Sequence, residues 1–295
     1  MYRGAVRSAR ELVSFGMDIR LLRDSESDLE RADRLLTTAY RPPSWRREVE
    51  VYLSVQPDGW FVVEEDNQIV AMAGGLAYGS FCWLGLVATL PGFERRGYAS
   101  ALSAHVLEWA TERGCRTVAL DASEKGRPVY ERLGFEPVGQ TVVLIAPTSV
   151  PLPDEATAER IDDVEDLLAL DRSVFGGDRA SLLRTIWELE SAGVYAMRDG
   201  DGYAGYLFAR EGTLGPGCAR SPEVAEQLLR AALPEASSRA NGDVRLLLPV
   251  ESAYANVLTS LGFQESRSLT HMRLGDQTLP GERQLLIAQT SLAAG

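Results

Sequence analysis

Residues 83–102 read WLGLVATLPGFERRGYASAL, and the change of character halfway along decides the fold. The first eight residues are apolar and β-compatible, which predicts a buried strand over 83–90. Pro91 and Gly92 end it. From Gly97 onward apolar residues recur at a helical period, at Leu102, Val106, Leu107 and Ala110. Between the two, Glu94-Arg95-Arg96-Gly97-Tyr98-Ala99 is a turn that runs straight into a helix N-terminus. Such a junction exposes unpaired backbone N–H groups, and the helix dipole adds about half a positive charge. Gly97 lets the main chain approach a ligand closely, so the junction suits a pyrophosphate. In isolation an RRG triplet reads as an ordinary solvated turn. The neighbouring chain has to decide.

Downstream, residues 117–121 form an apolar strand, 127–133 a short helix closed by Gly134, and Phe135 opens another strand. Residues 141–146 are the last strand of this half. Upstream, a strand at 17–22 precedes a helix at 25–40, with Ser25 as cap and Leu29, Ala32, Leu35 and Leu36 on one face. Pro42 and Pro43 break that helix, and 45–53 is a second, short one. A hairpin of 60–64 and 68–78 turns at Asp66-Asn67. The order predicts a mixed α/β sheet with helices packed on it.

Composition bounds what such a sheet can serve. The chain of 295 residues suffices for two domains. Its net charge of −12 argues against nucleic acid or an anionic membrane as partner. No apolar run reaches the eighteen residues or so that a transmembrane helix needs. Cys82, Cys115 and Cys218 are scattered without metal-like spacing, which suits a reducing cytoplasm. With His105 and His271 as its only histidines, the chain has little from which to build a histidine metal site or a Ser-His-Asp triad. No metal is expected.

Residues 91–102 and 120–135, the latter reading LDASEKGRPVYERLGF, together resemble the GNAT superfamily of acetyl-CoA-dependent N-acetyltransferases. The first block matches that family's (Q/R)-x-x-G-x-(G/A) loop at all but its first position, where Glu94 stands. The second places a tyrosine three residues before Leu-Gly-Phe. The order of elements over 17–146 is also the family's. The resemblance implies acetyl-CoA as co-substrate. Val87, Ala88 and Thr89 would offer main-chain groups to the acetyl carbonyl and pantetheine, and Glu94, Arg95, Arg96, Gly97, Tyr98 and Ala99 would hold the pyrophosphate. Ser123 stands where many members place an asparagine near the cofactor, and Tyr130 where the general acid protonates the leaving thiolate. Arg95 and Arg96 are expected to offset the charge of Glu94. For the general base, Asp121 and Glu64 are candidates by position, beside a chain of waters.

Residues 1–16 read as a disordered extension, with Met17 a candidate start, and 148–155 as a proline-bearing linker. These bounds give a catalytic domain at 17–147 and a second domain at 156–295. In the second, helices at 159–175 and 180–190, a hairpin of 193–198 and 203–211, a helix from Ser221, a strand at 244–250 and a helix at 253–261 repeat the first half's order. Its chemistry is missing: GPGCARSPEVAEQLL has no arginine-glycine nest, and aligning the two Leu-Gly-Phe triplets puts Leu258 opposite Tyr130. The second half therefore resembles a degenerate GNAT domain that shapes the acceptor site, with Tyr254 a packing residue and 284–293 a terminal strand. The expected function is transfer of an acetyl group to a primary amine of a small molecule or peptide, in a cytoplasmic monomer or homodimer. Two alternatives are a non-catalytic acyl-CoA sensor and a purely structural pair of domains. Trp45, Trp60 and Tyr40 are aromatic candidates for the acceptor wall.

Overall fold

The computed structural model describes residues 17–40, 44–147, 158–240 and 242–295; the expected extension at 1–16 and the linker at 148–155 lie outside the described residues. The chain forms two units, the first made of Met1–Val138 with Met272–Gln277 and Ala294, the second of Gly139–His271, Thr278–Ala293 and Gly295.

In the first unit, β1 (Ile19–Leu21), α1 (Glu26–Tyr40) and α2 (Arg46–Val55) precede the hairpin β2 (Trp60–Glu65) and β3 (Gln68–Ala77). Then come β4 (Phe81–Thr89), α3 (Tyr98–Glu112), β5 (Thr117–Ala122) and α4 (Arg127–Arg132). The Ser25 Oγ accepts the Asp28 N–H (3.3 Å) at the start of α1, and Leu29, Ala32, Leu35 and Leu36 are buried at the expected helical spacing. Asp66 and Asn67 both take left-handed φ (49° and 62°), as a two-residue hairpin turn requires. The strands lie in the order β1-β2-β3-β4-β5, antiparallel except for β4 and β5. That parallel pair needs a crossover, and α3 supplies it. Trp60, Trp83, Phe81, Ile69 and Met72 fill the core around α1 and α3.

One buried carboxylate ties α1 to this sheet. Asp28 has only 2% of its side chain exposed, and it accepts hydrogen bonds from Arg20, from Arg31 and from the Arg23 N–H (3.0 Å). Burial raises its pKa, but those hydrogen bonds outweigh burial and hold the carboxyl at about 2. The ordinary value is near 4, so the ionised form contributes about 2 kcal/mol of stability above pH 4, lost as pH falls toward 2. Asp28→Asn is accordingly expected to cost about 2 kcal/mol in chemical denaturation at pH 7, with the gap to the parent closing near pH 2.

The second unit repeats the order element by element. It contains β7 (Glu159–Ile161), α5 (Leu168–Phe175), α6 (Ala180–Leu189), β8 (Gly193–Asp199), β9 (Gly202–Arg210) and β10 (Thr213–Ala219). After these follow α7 (Pro222–Arg239), β11 (Arg245–Leu248), α8 (Ala255–Ser260), β12 (Gln264–Leu274, of which the residues from Met272 onward belong to the first unit) and β13 (Leu286–Ala288). The preceding strand, β6 (Glu136–Ile145), passes from the first unit into the second, where it pairs with β11. Two sequence expectations change. The strands anticipated from Phe135 and over 141–146 are one strand, because residues 142–145 stay in register with β11. Residues 159–161 are strand rather than helix, since Glu159, Arg160 and Ile161 pair with β8; a helical turn starts only after Asp163, whose carboxylate accepts the Glu165 N–H (2.9 Å). The stretch TLGPGCA, to which the sequence assigns no element, is β10. Ser221 does cap α7, its Oγ accepting the Val224 N–H (3.4 Å), and the helix continues through Pro234. Among the described residues no helix is long and apolar enough to cross a membrane.

Candidate active site

Two irregularities open the first sheet at its centre. β4 and β5 pair at Phe81, Cys82 and Trp83 with Thr117, Val118 and Ala119, and diverge beyond. On the other side, the β3–β4 register steps from Gly74↔Gly85 to Met72↔Ala88, so Leu86 and Val87 face Ala73 alone. This is a β-bulge, with Leu86 at φ 50°, and it re-aims the backbone where the two parallel strands part. Val87, Ala88 and Thr89 are the residues of β4 from the bulge to its end. The Tyr40 hydroxyl donates to the Val87 carbonyl (2.7 Å).

The loop after β4 is built to leave N–H groups pointing outward. Gly92 (φ 89°), Arg95 (φ 63°) and Gly97 (φ 90°) are left-handed, and alternating handedness turns successive amides into an anion-binding nest. Gly97 is the cap of α3 and offers no side chain to it, while the first backbone bond runs from the Ala101 N–H to the Gly97 carbonyl (2.9 Å). The N–H groups of Tyr98, Ala99 and Ser100 therefore precede the helical ladder. Residues 94–97 are exposed. A Cβ on Gly97 would meet only the Met17 side-chain tip, at 3.6 Å. The Arg96 guanidinium lies 4.7 Å from the Phe93 ring centre and donates to the Gly92 carbonyl (3.3 Å) and to Glu65 Oε2 (3.5 Å). The buried Tyr98 also donates its hydroxyl to Glu65. Glu94 was expected to be offset by Arg95 and Arg96; instead Lys125 donates to its carboxylate (2.7 Å) and, ahead of a smaller contribution from Arg95, draws its pKa down. Lys125 stands in the loop between β5 and α4, so the pair links the two loops flanking the opening.

That second loop holds the remaining candidates. The Ser123 Oγ and carbonyl both accept the Gly126 N–H (3.1 and 3.0 Å), which ends β5 and starts α4. Tyr130 follows on α4, buried at 8% exposure, with the Phe135 ring edge-on at 5.9 Å. Burial pushes its hydroxyl pKa well above 10. Asp121 lies in β5, half-buried. Glu64 is committed elsewhere: Arg20 (3.0 Å) and Arg31 (3.0 Å) bond it, and Arg20 foremost lowers its pKa, opposite to what a base needs. Of the aromatic wall candidates, Trp60 is core, 1% exposed and stacked on Tyr52, whereas Tyr40 and Trp45 meet edge to face at 5.3 Å. Lys125 and Glu65 carry no local motif that a sequence reading could use.

In the second unit the corresponding opening is filled. β10 and β11 pair in parallel at Thr213↔Arg245 and Leu214↔Leu246, and then β13 packs antiparallel on β10 at Gly217↔Ala288 and Cys218↔Leu286. The Gln289 N–H bonds the Leu247 carbonyl (2.9 Å) from the other side. Gly215 permits this approach, because a Cβ there would lie 2.5 Å from the Gln289 carbonyl oxygen. Leu258 does occupy the place of Tyr130, since the Phe263 N–H bonds its carbonyl as the Phe135 N–H bonds that of Tyr130, both at 3.0 Å. Tyr254 is 2% exposed and donates its hydroxyl to the Ala219 carbonyl, which is a packing role.

Known proteins share this architecture. The Acetyltransferase (GNAT) family model matches residues 26–135, and a second, Acetyltransferase (GNAT) domain, matches residues 167–288. The holothin acyltransferase of Pseudoalteromonas sp. (strain SANK 73390) is 24% identical over 84% of this chain and 85% of its own length. The uncharacterized N-acetyltransferase YitH of Bacillus subtilis (strain 168) is 25% identical over 74% of this chain and 79% of its own. A crystal structure of a candidate acetyltransferase from Pyrococcus horikoshii superposes with a TM-score of 0.84 at 24% identity, covering 95% of this chain and 96% of that one. An α/β fold run through twice, with a left-handed loop feeding a helix N-terminus in the first copy, thus has its relatives among acyl-transferring enzymes. The chain belongs to the GNAT acetyltransferases, a family that uses acetyl-CoA, and carries two of their domains in tandem.

Proposed function

We propose that the first unit binds one acetyl-CoA per chain and transfers its acetyl group directly to a primary amine of a small molecule or peptide, with Tyr130 as general acid. The observation that carries this reading is the sequence of features along one opening: the diverging β4 and β5, the nest at residues 92–97 and the buried Tyr130 hydroxyl. The nest fits a diphosphate because its exposed amides and the α3 N-terminus present partial positive charge with no side chain in the way. Arg95 and Arg96 add full charges, and Arg96 exchanges its Glu65 contact for phosphate.

Acetyl-CoA supplies a thioester, an acyl group already activated toward amines. The backbone of Val87, Ala88 and Thr89 orients that acyl group in the splay. The Tyr130 hydroxyl, kept protonated by burial, gives its proton to the departing sulfur as the carbon–sulfur bond breaks and the carbon–nitrogen bond forms. Asp121 takes the proton that the attacking amine must shed. The match to a protein named holothin acyltransferase supports the same reaction class. In the second unit, β13 occupies the space a donor would need, and Leu258 has no proton to give.

Calorimetric titration with acetyl-CoA tests the assignment, and one site per chain is the expected result. Two sites would overturn the role given to β13. Absence of binding would overturn the donor reading. With one site found, a panel of amines read out by thiol release identifies the acceptor.

A further inference from the structure

Tyr40, the last residue of α1, lies 47 residues before Val87 and yet supplies the partner of the Val87 carbonyl. The residue is 41% exposed, yet its hydroxyl is bonded to the main chain; desolvation, and then the neighbouring Tyr130, raise its pKa. Tyr40 and Tyr130 therefore approach the opening from two helices, α1 and α4. Their hydroxyls are spent differently, since that of Tyr40 is donated to the main chain. A bulge takes a residue out of the regular ladder, and a peptide group there has the freedom to rotate unless something holds it. A hydrogen bond from a desolvated hydroxyl fixes that rotation and polarises the peptide it binds. The edge-to-face contact of the Tyr40 ring with Trp45 in turn fixes the hydroxyl's direction.

We infer that Tyr40 is a positioning residue for acyl transfer: by holding the Val87 peptide of the β4 bulge, it sets the orientation of the acetyl group. This rests on the reading that acetyl-CoA lies in the β4–β5 splay. It assigns to the end of α1 a part in the chemistry that neither the pyrophosphate loop nor the tyrosine of α4 can perform. Substrate contact is not required of Tyr40. It acts through Val87.

The experiment compares the parent protein with Tyr40→Phe, which keeps the ring and its packing on Trp45. Acetyl-CoA labelled with carbon-13 at its carbonyl is bound to each, and the thioester stretch is recorded by infrared difference spectroscopy. Affinities for acetyl-CoA and for free CoA are measured alongside. In the parent the band is expected below its position in free acetyl-CoA, and narrow. In Tyr40→Phe it returns at least halfway to the free position and broadens, acetyl-CoA binds about 10-fold more weakly, and CoA binds within twofold of the parent. Once an acceptor is known, kcat falls about 10-fold with little change in the acceptor KM. A second variant carries 3-fluorotyrosine at position 40, a more acidic donor of nearly the same shape, and its band is expected at least as far from the free position as the parent's. An unchanged band in Tyr40→Phe would overturn the proposal, and so would an equal loss of affinity for acetyl-CoA and CoA, the mark of a purely structural residue. Failure of the parent to bind acetyl-CoA at all would sink the donor reading itself, and a bound parent with an unaltered variant sinks only the role of Tyr40.

Discussion

Tyr130→Phe is expected to lower kcat for the acetylated amine by roughly 100-fold to 1,000-fold while leaving the affinity for acetyl-CoA within twofold. The loss sits toward the lower part of the range for a general acid because a thiolate, with a pKa near that of cysteine, leaves more readily than an alkoxide. The ring remains, so its contact with Phe135 and the turn that bonds the Phe135 N–H to the residue-130 carbonyl are kept. The pH profile carries a second signature. Burial raises the hydroxyl pKa, so Tyr130 stays in its proton-donating form throughout the range below pH 10. The parent's kcat should therefore rise with pH as the acceptor amine or its base loses a proton, without falling again before pH 10. In the variant the whole curve drops, and its acidic limb stays where it was. Stopped-flow thiol release between pH 6 and pH 10 separates these outcomes, and a parent profile that falls on the alkaline side below pH 10 would count against Tyr130 as the acid.

The second large effect is on binding. Arg96→Glu combined with Gly97→Asp is expected to weaken acetyl-CoA binding by about 1,000-fold or more, beyond the reach of calorimetry for a micromolar ligand. Each charge-assisted hydrogen bond to a phosphate contributes about 1.5–3 kcal/mol, and the pair replaces attraction with repulsion at both positions. Folding should survive. Gly97 faces open space apart from Met17, so aspartate meets no clash, but at φ 90° any side chain is strained and the substitution costs about 1 kcal/mol or more of stability. Arg96 sits on the surface, stacked on Phe93. A variant that still melts cooperatively, a few degrees lower, with binding abolished would show that the loop itself is the donor site, and retained binding would move the site elsewhere.

The parts of this molecule that a sequence reading reached are those decided locally. The switch from an apolar run to helical spacing at residues 83–110 located β4, the loop and α3, and the Leu-Gly-Phe triplets aligned the two halves residue for residue. Elements whose identity depends on a neighbour escaped it. Glu159-Arg160-Ile161 is too short and too charged to declare itself, and becomes β7 by pairing with β8. TLGPGCA carries two glycines and a proline, and becomes β10 because two strands flank it and β13 packs against it. In the site the same division holds. The arginines and glycine of the loop are legible, as is the tyrosine of α4. The bulge at Leu86, the Tyr40 hydrogen bond and the Glu94–Lys125 pair are tertiary facts, each joining groups that no spacing rule relates.

The loan of Met272–Gln277 to the first unit bears on how such a protein can change over time. That segment is fastened within the unit, where the Asp276 N–H bonds Thr117 Oγ1 (3.1 Å) and Gly275 lies so close to the Arg116 carbonyl that a Cβ would come within 2.1 Å of it. The unit holding Tyr130 is thus completed by residues that lie beyond most of the second unit in the chain. Neither half could be cut away at the boundary between the two matched domains without stripping that segment from the first unit, so a change that loses one half also alters the other.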